Sequence, residues 1–117
     1  MKPALDQPSQ LHSGVRHWRL QRISAIMLIP LSLWAVIELA PLPAQNYATA
    51  LEWIHEPLSI GLLLFLVPTL YLHAALGLQV VLEDYISDPL RRRLIFMTHV
   101  IASVAAFGTL GALFSAY

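Results

Sequence analysis

Charge is distributed along this chain so that three long stretches carry none. Residues 23–37, 57–82 and 94–117 contain no Asp, Glu, Lys or Arg. A helix rises about 1.5 Å per residue and the hydrocarbon core of a bilayer is about 30 Å thick, so a crossing segment needs about 20 mainly apolar residues. The second and third stretches meet that requirement outright. The first meets it once extended through Glu38 and Leu39 to Ala40, with Glu38 near enough to the far interface to reach water. A soluble helix would need a polar face, and 94–117, LIFMTHVIASVAAFGTLGALFSAY, has none wide enough. The residues are 57% hydrophobic and 12% charged, against about 25% charged in an ordinary soluble domain. The expected fold is an all-α membrane protein of three transmembrane helices, with spans at about 22–40, 57–82 and 94–116.

All seven basic residues suit one orientation. Lys2, Arg16, Arg19 and Arg22 precede the first span, and Arg91, Arg92 and Arg93 lie between the second and third. The other loop, 41–56, holds Glu52 and Glu56 and no Lys or Arg. The positive-inside rule then puts the N-terminus in the cytoplasm or a mitochondrial matrix and the C-terminus on the outer side. The opening MKPALDQPSQLHSG lacks the apolar stretch of a secretory signal, so 1–15 is expected to be a retained polar tail and 16–117 the membrane domain. Pro41 and Pro43 stop the first helix, and Trp53 suits the headgroup level. With no cysteine, the chain offers neither a disulfide nor a thiolate-held iron–sulfur cluster. Three bare helices with Gly61, Gly77, Gly108 and Gly111 invite other helices to approach, so a larger assembly is expected. The bilayer is the first partner, and nothing points to nucleic acid.

One residue in the second span stands out chemically. His73 precedes Asp84 by 11 residues, which places it about 16 Å from the basic end, near the midplane. An imidazole there is costly unless paired. It is either a ligand, for which a neutral ring in a membrane suits haem iron, or a histidine hydrogen-bonded to a neighbouring helix. At 100° per residue, Leu66, Thr69, His73, Gly77, Val80 and Asp84 share one face. Gly77 clears space one turn from His73 or is a packing contact, and Pro68 can kink the helix one turn earlier. Tyr85 at the helix end is either a belt anchor or a phenol able to donate to a quinone carbonyl, with Asp84 ordering proton delivery. Arg22, entering the membrane edge with Ser24, either reaches the headgroups or pairs with a carboxylate such as a haem propionate.

Two segments carry a family likeness: GVRHWRLQRISAI, with its Arg-x-Ser-Ala-Ile entry into the first helix, and HAALGLQVVLEDYI, where His-x-x-x-Gly is followed by Asp-Tyr. Together with length and topology they resemble the small membrane anchor subunit of succinate:quinone oxidoreductase, respiratory complex II. The resemblance implies that His73 is an axial ligand of the iron of haem b, shared with a larger haem-binding anchor subunit that supplies the second histidine. It implies that Tyr85 donates to ubiquinone, that Asp84 belongs to the same network, and that Arg22 lies near that network and the propionates. It also implies an iron–sulfur subunit, a flavoprotein subunit carrying FAD and oxidising succinate, and a home in a bacterial or mitochondrial inner membrane. The alternatives are a fumarate reductase anchor, with the same chemistry reversed, and a non-redox scaffold or transporter subunit in which His73 packs or carries protons.

Overall fold

The computed structural model describes residues 8–117, with side chains from Gly14 onward. Four α-helices follow in order: α1 (Pro8–Leu39), α2 (Tyr47–His55), α3 (Pro57–Tyr85) and α4 (Leu90–Ala116), with a 3-10 turn at Leu42–Ala44 between the first two. Three of them, α1, α3 and α4, are long and apolar enough to cross a membrane, as the charge-free stretches require. The described residues contain no strand.

Prolines punctuate these helices in ways their missing N–H explains. Pro57 opens α3, where the first N–H groups of a helix have no intrahelical partner. Pro41 and Pro43 end α1 and start the 3-10 turn. Pro30 and Pro68 lie inside α1 and α3, and both rings are on exposed surface. α1 has 32 residues, about 48 Å at the usual rise and longer than the hydrocarbon core. Its first turns therefore extend beyond the span, through the second half of the stretch read as a polar tail.

The segment 41–56, read from sequence only as an outer loop, contains the helix α2. Asn46 caps it, its Oδ1 accepting from Thr49 N at 2.9 Å and from Thr49 Oγ1 at 3.0 Å. Trp53 is half-buried. Its ring stacks on Trp34 with centroids 5.9 Å apart, and its Nε1 donates to Glu38 Oε2 at 3.0 Å. Glu38 thus meets an indole N–H at the end of α1. The His55 ring nitrogens face the carbonyls of Leu51 and Tyr117 at 2.7 and 2.8 Å, which fastens α2 to the end of α4.

α3 is the middle helix, packed on α1 along one side and α4 along the other. The core is small: Leu28, Ala35, Leu63 and Leu66 are buried, with Leu31, Trp34, Trp53 and Leu113 packed against them. α4 has no buried residue. Its hydroxyls turn inward on their own helix instead, Thr98, Ser103, Thr109 and Ser115 bonding to Leu94, His99, Ala105 and Ala112 carbonyls at 2.8–2.9 Å. That arrangement leaves no hydroxyl to be satisfied by water, as lipid demands. Among the described residues, Gly61, Gly108 and Gly111 have nothing within 4 Å of where a Cβ would stand, which leaves surface open to other helices.

Candidate functional site

The face of α3 singled out by helical periodicity looks at α1. Leu66 is in the core, and about two turns later His73 Nδ1 lies 2.9 Å from Ser24 Oγ on α1. Ser24 is 3% exposed. Its hydroxyl also lies 2.9 Å from the carbonyl oxygen of Gln21, to which it donates. One turn further along α3, a Cβ added at Gly77 would stand 3.7 Å from Gln21 Nε2. The two helices run antiparallel, so three steps back along α1 match four forward along α3.

This pairing builds an open groove of about 440 Å³, lined on α1 by His17, Trp18, Gln21, Arg22 and Ala25 and on α3 by His73 and Val80. Its polar groups are unevenly satisfied. His73 is half-buried, and its Nε2 has no hydrogen-bond partner among the described residues. His17 Nε2 is buried without a partner among the described residues, an arrangement that costs about 1–3 kcal/mol. The Arg22 guanidinium lies 5.6 Å from the centre of the Trp18 ring, within cation–π range, and Arg22 is exposed. The His73 imidazole and the Arg22 guanidinium thus line one cleft, a pair suited to a ligand with a coordinating centre and carboxylates.

Sequence reasoning singled out His73, Gly77, Arg22 and Ser24, and the structure brings all four to this groove or its floor. It did not identify Gln21, Trp18 or the groove-facing role of His17. The readable sign was the stripe His17, Gln21, Ser24 and Leu28, spaced four, three and four residues apart as one helical face requires.

Asp84 and Tyr85 are not in the groove. They end α3, both exposed, Tyr85 to 82%. Tyr85 is 12 residues beyond His73, about 18 Å along the axis. The arginines at the start of α4 engage Asp88 instead of Asp84, Arg91 at 2.7 Å and Arg92 at 3.7 Å. On the other side of α3, His99 Nε2 lies 2.8 Å from Gln79 Oε1, and Gln79 Nε2 donates to Glu83 Oε1 at 2.8 Å. His99 borders a separate cleft of about 230 Å³ between α3 and α4, away from His73.

Comparison with known proteins agrees with this architecture. The model of the family described as succinate dehydrogenase/fumarate reductase transmembrane subunit matches residues 1–110. A succinate dehydrogenase hydrophobic membrane anchor subunit from Rickettsia bellii is 39% identical over 98 residues, covering 81% of this chain and 78% of the relative. One from Rickettsia felis is 36% identical over 100 residues, covering 82% of each. A succinate dehydrogenase membrane anchor subunit from Reclinomonas americana is 30% identical over 94 residues, covering 77% of this chain and 78% of the relative. No solved structure matches. With a family model that spans nearly its whole length and relatives that share a third of its residues, the chain belongs to the succinate dehydrogenase/fumarate reductase transmembrane subunit family, on the side of the succinate dehydrogenase membrane anchors.

Proposed function

We propose that the chain, as a membrane anchor of succinate dehydrogenase, holds haem b through His73 and contributes Tyr85 and Asp84 to the site where ubiquinone is reduced. The observation that carries the haem reading is the groove between α1 and α3. It holds His73, whose Nε2 has no hydrogen-bond partner among the described residues and whose Nδ1 is backed by Ser24, beside Arg22. A histidine present only for packing would have no use for an open, partly polar cleft at its free nitrogen. When bound, the haem supplies a one-electron store next to the quinone site.

The residues of this chain have separable tasks. His73 would hold the haem iron through its Nε2 from a position near mid-span. Arg22 attracts carboxylate groups at the groove's rim, and a charge-assisted pair there would be strong because one side of it is apolar. The groove has walls from two helices only, and a larger anchor subunit would supply the second histidine. His99 is unsuited to that role, since its Nε2 is engaged by Gln79 and it borders a different cleft. At the basic end of α3, Tyr85 donates a hydrogen bond to a quinone carbonyl, and Asp84 orders the waters that deliver protons. FAD in a partner flavoprotein subunit and clusters in a partner iron–sulfur subunit would supply the electrons taken from succinate. The basic end faces the cytoplasm or matrix, and the membrane is the inner membrane of a bacterium or mitochondrion.

The names of the relatives favour succinate oxidation over fumarate reduction as the working direction. The test is to purify the chain with its partner subunits, record a reduced-minus-oxidised spectrum and assay succinate-dependent ubiquinone reduction. A reducible b-type band with quinone turnover is expected; turnover without any such band would remove haem from the proposal.

A further inference from the structure

We propose that Ser24 is a positioning residue for His73, setting the tautomer and the angle of the ring so that the lone pair of Nε2 faces the groove. The inference rests on the haem reading above and adds to it the residue that makes His73 competent. The proton count comes from two distances. Ser24 has one hydroxyl proton, and its Oγ lies 2.9 Å from the Gln21 carbonyl oxygen. Two neutral oxygens at that separation need a proton between them, so the hydroxyl is committed to Gln21. His73 Nδ1, at 2.9 Å from the same Oγ, must then be the donor. A neutral imidazole with its proton on Nδ1 carries its lone pair on Nε2, the form that ligates a metal.

Were the hydroxyl turned toward His73 instead, Nε2 would bear the proton and could not ligate. The back-bond to Gln21 therefore selects between a ligand and a non-ligand. Metal-bound histidines generally donate their other N–H to a fixed acceptor, which orients the ring and raises its basicity. Here the acceptor is itself immobile: Ser24 is 3% exposed and sits on α1, the opposite wall of the groove. The ring is thereby tied across the helix–helix contact, and the α1–α3 spacing and the ligand angle are set together.

The experiment compares Ser24→Ala, Ser24→Thr and Ser24→Cys in the assembled complex, reading haem content and the haem midpoint potential by optical redox titration. Ser24→Ala deletes the acceptor, so His73 becomes a weaker donor to ferric iron. The preference for the ferric state should fall about tenfold, a rise of about 59 mV for a one-electron couple, and haem retention should fall by roughly 10- to 100-fold. Ser24→Thr keeps the oxygen and should restore both values, while Ser24→Cys, a weak acceptor, should lie between. An unchanged potential and haem content in Ser24→Ala, with His73→Ala losing its haem, would overturn the role of Ser24 and leave the haem site standing. Equal shifts in Ser24→Thr and Ser24→Ala would also overturn it. If Ser24→Ala does not assemble, parental values in Ser24→Cys contradict the proposal. A full b-type spectrum in His73→Ala would remove the site and this inference together.

Discussion

Tyr85→Phe separates an anchoring ring from a working hydroxyl. The side chain is 82% exposed at the end of α3, and its hydroxyl makes no hydrogen bond among the described residues. The helix end is closed by the backbone, Ile86 N donating to Leu82 O at 3.0 Å, and not by the phenol. Removing the oxygen should therefore change the stability of this chain by no more than about 0.5 kcal/mol, as for other surface positions. What it removes is a donor to a quinone carbonyl on which negative charge develops during reduction. A hydrogen bond to a charged group contributes about 1.5–3 kcal/mol, which converts to a loss of roughly 10- to 100-fold in succinate-dependent ubiquinone reduction. Two controls locate the loss. Succinate oxidation by a soluble dye that takes electrons upstream should persist, and the b-type spectrum should be intact, because His73 lies about 18 Å away along the helix. Full quinone turnover by Tyr85→Phe in an assembled complex would make Tyr85 a belt residue and leave the proposed site to Asp84.

Other consequences concern the two ends of the bundle and the floor of the groove. Trp53→Phe keeps the stack on Trp34 but deletes the donor to Glu38; a bond to a charged group contributes about 1.5–3 kcal/mol, so the amides of α2 should exchange roughly 10- to 100-fold faster in reconstituted protein, and unchanged protection would mean the indole N–H holds nothing. Trp53→Ala should accelerate exchange further, since the stacked pair adds about 0.5–1.5 kcal/mol. A thiol placed at Ala48 should react with an impermeant reagent from outside and one at Ser87 from inside; the reverse labelling would put the quinone site on the wrong side. Gly77→Ala sets a methyl 3.7 Å from Gln21 Nε2, an ordinary contact, so the chain should fold normally while haem content drops; normal haem content would assign this glycine to helix packing alone.

The spans were readable because lipid tolerates so few sequences: a stretch without charge that is long enough to cross has no other stable use, and each of the three became a helix. Periodicity likewise grouped His73, Gly77 and Val80 on one face. It could not say which helix that face would meet, because spacing within a helix carries no information about its rotation against a neighbour. The Ser24–His73 contact depends on that rotation and so appears only in the folded chain. The helix α2 was missed for a different reason. Pro41, Pro43 and the lack of length made 41–56 read as a connection, and Trp53 as a generic interfacial ring, although Asn46 followed by Thr49 carried the local signature of a helix start. Its stability comes from tertiary partners, the Trp34 ring, Glu38 and the end of α4, which a short segment does not announce by itself.

If His73, and not His99, holds a haem in the groove between α1 and α3, reduced-minus-oxidised spectra of complexes carrying His73→Ala or His99→Ala must differ. His73→Ala should abolish or strongly perturb the b-type band. His99→Ala, which removes only the partner of Gln79 in a different cleft, should leave it unaltered. A band unchanged in His73→Ala, or one lost in His99→Ala alone, would contradict the account.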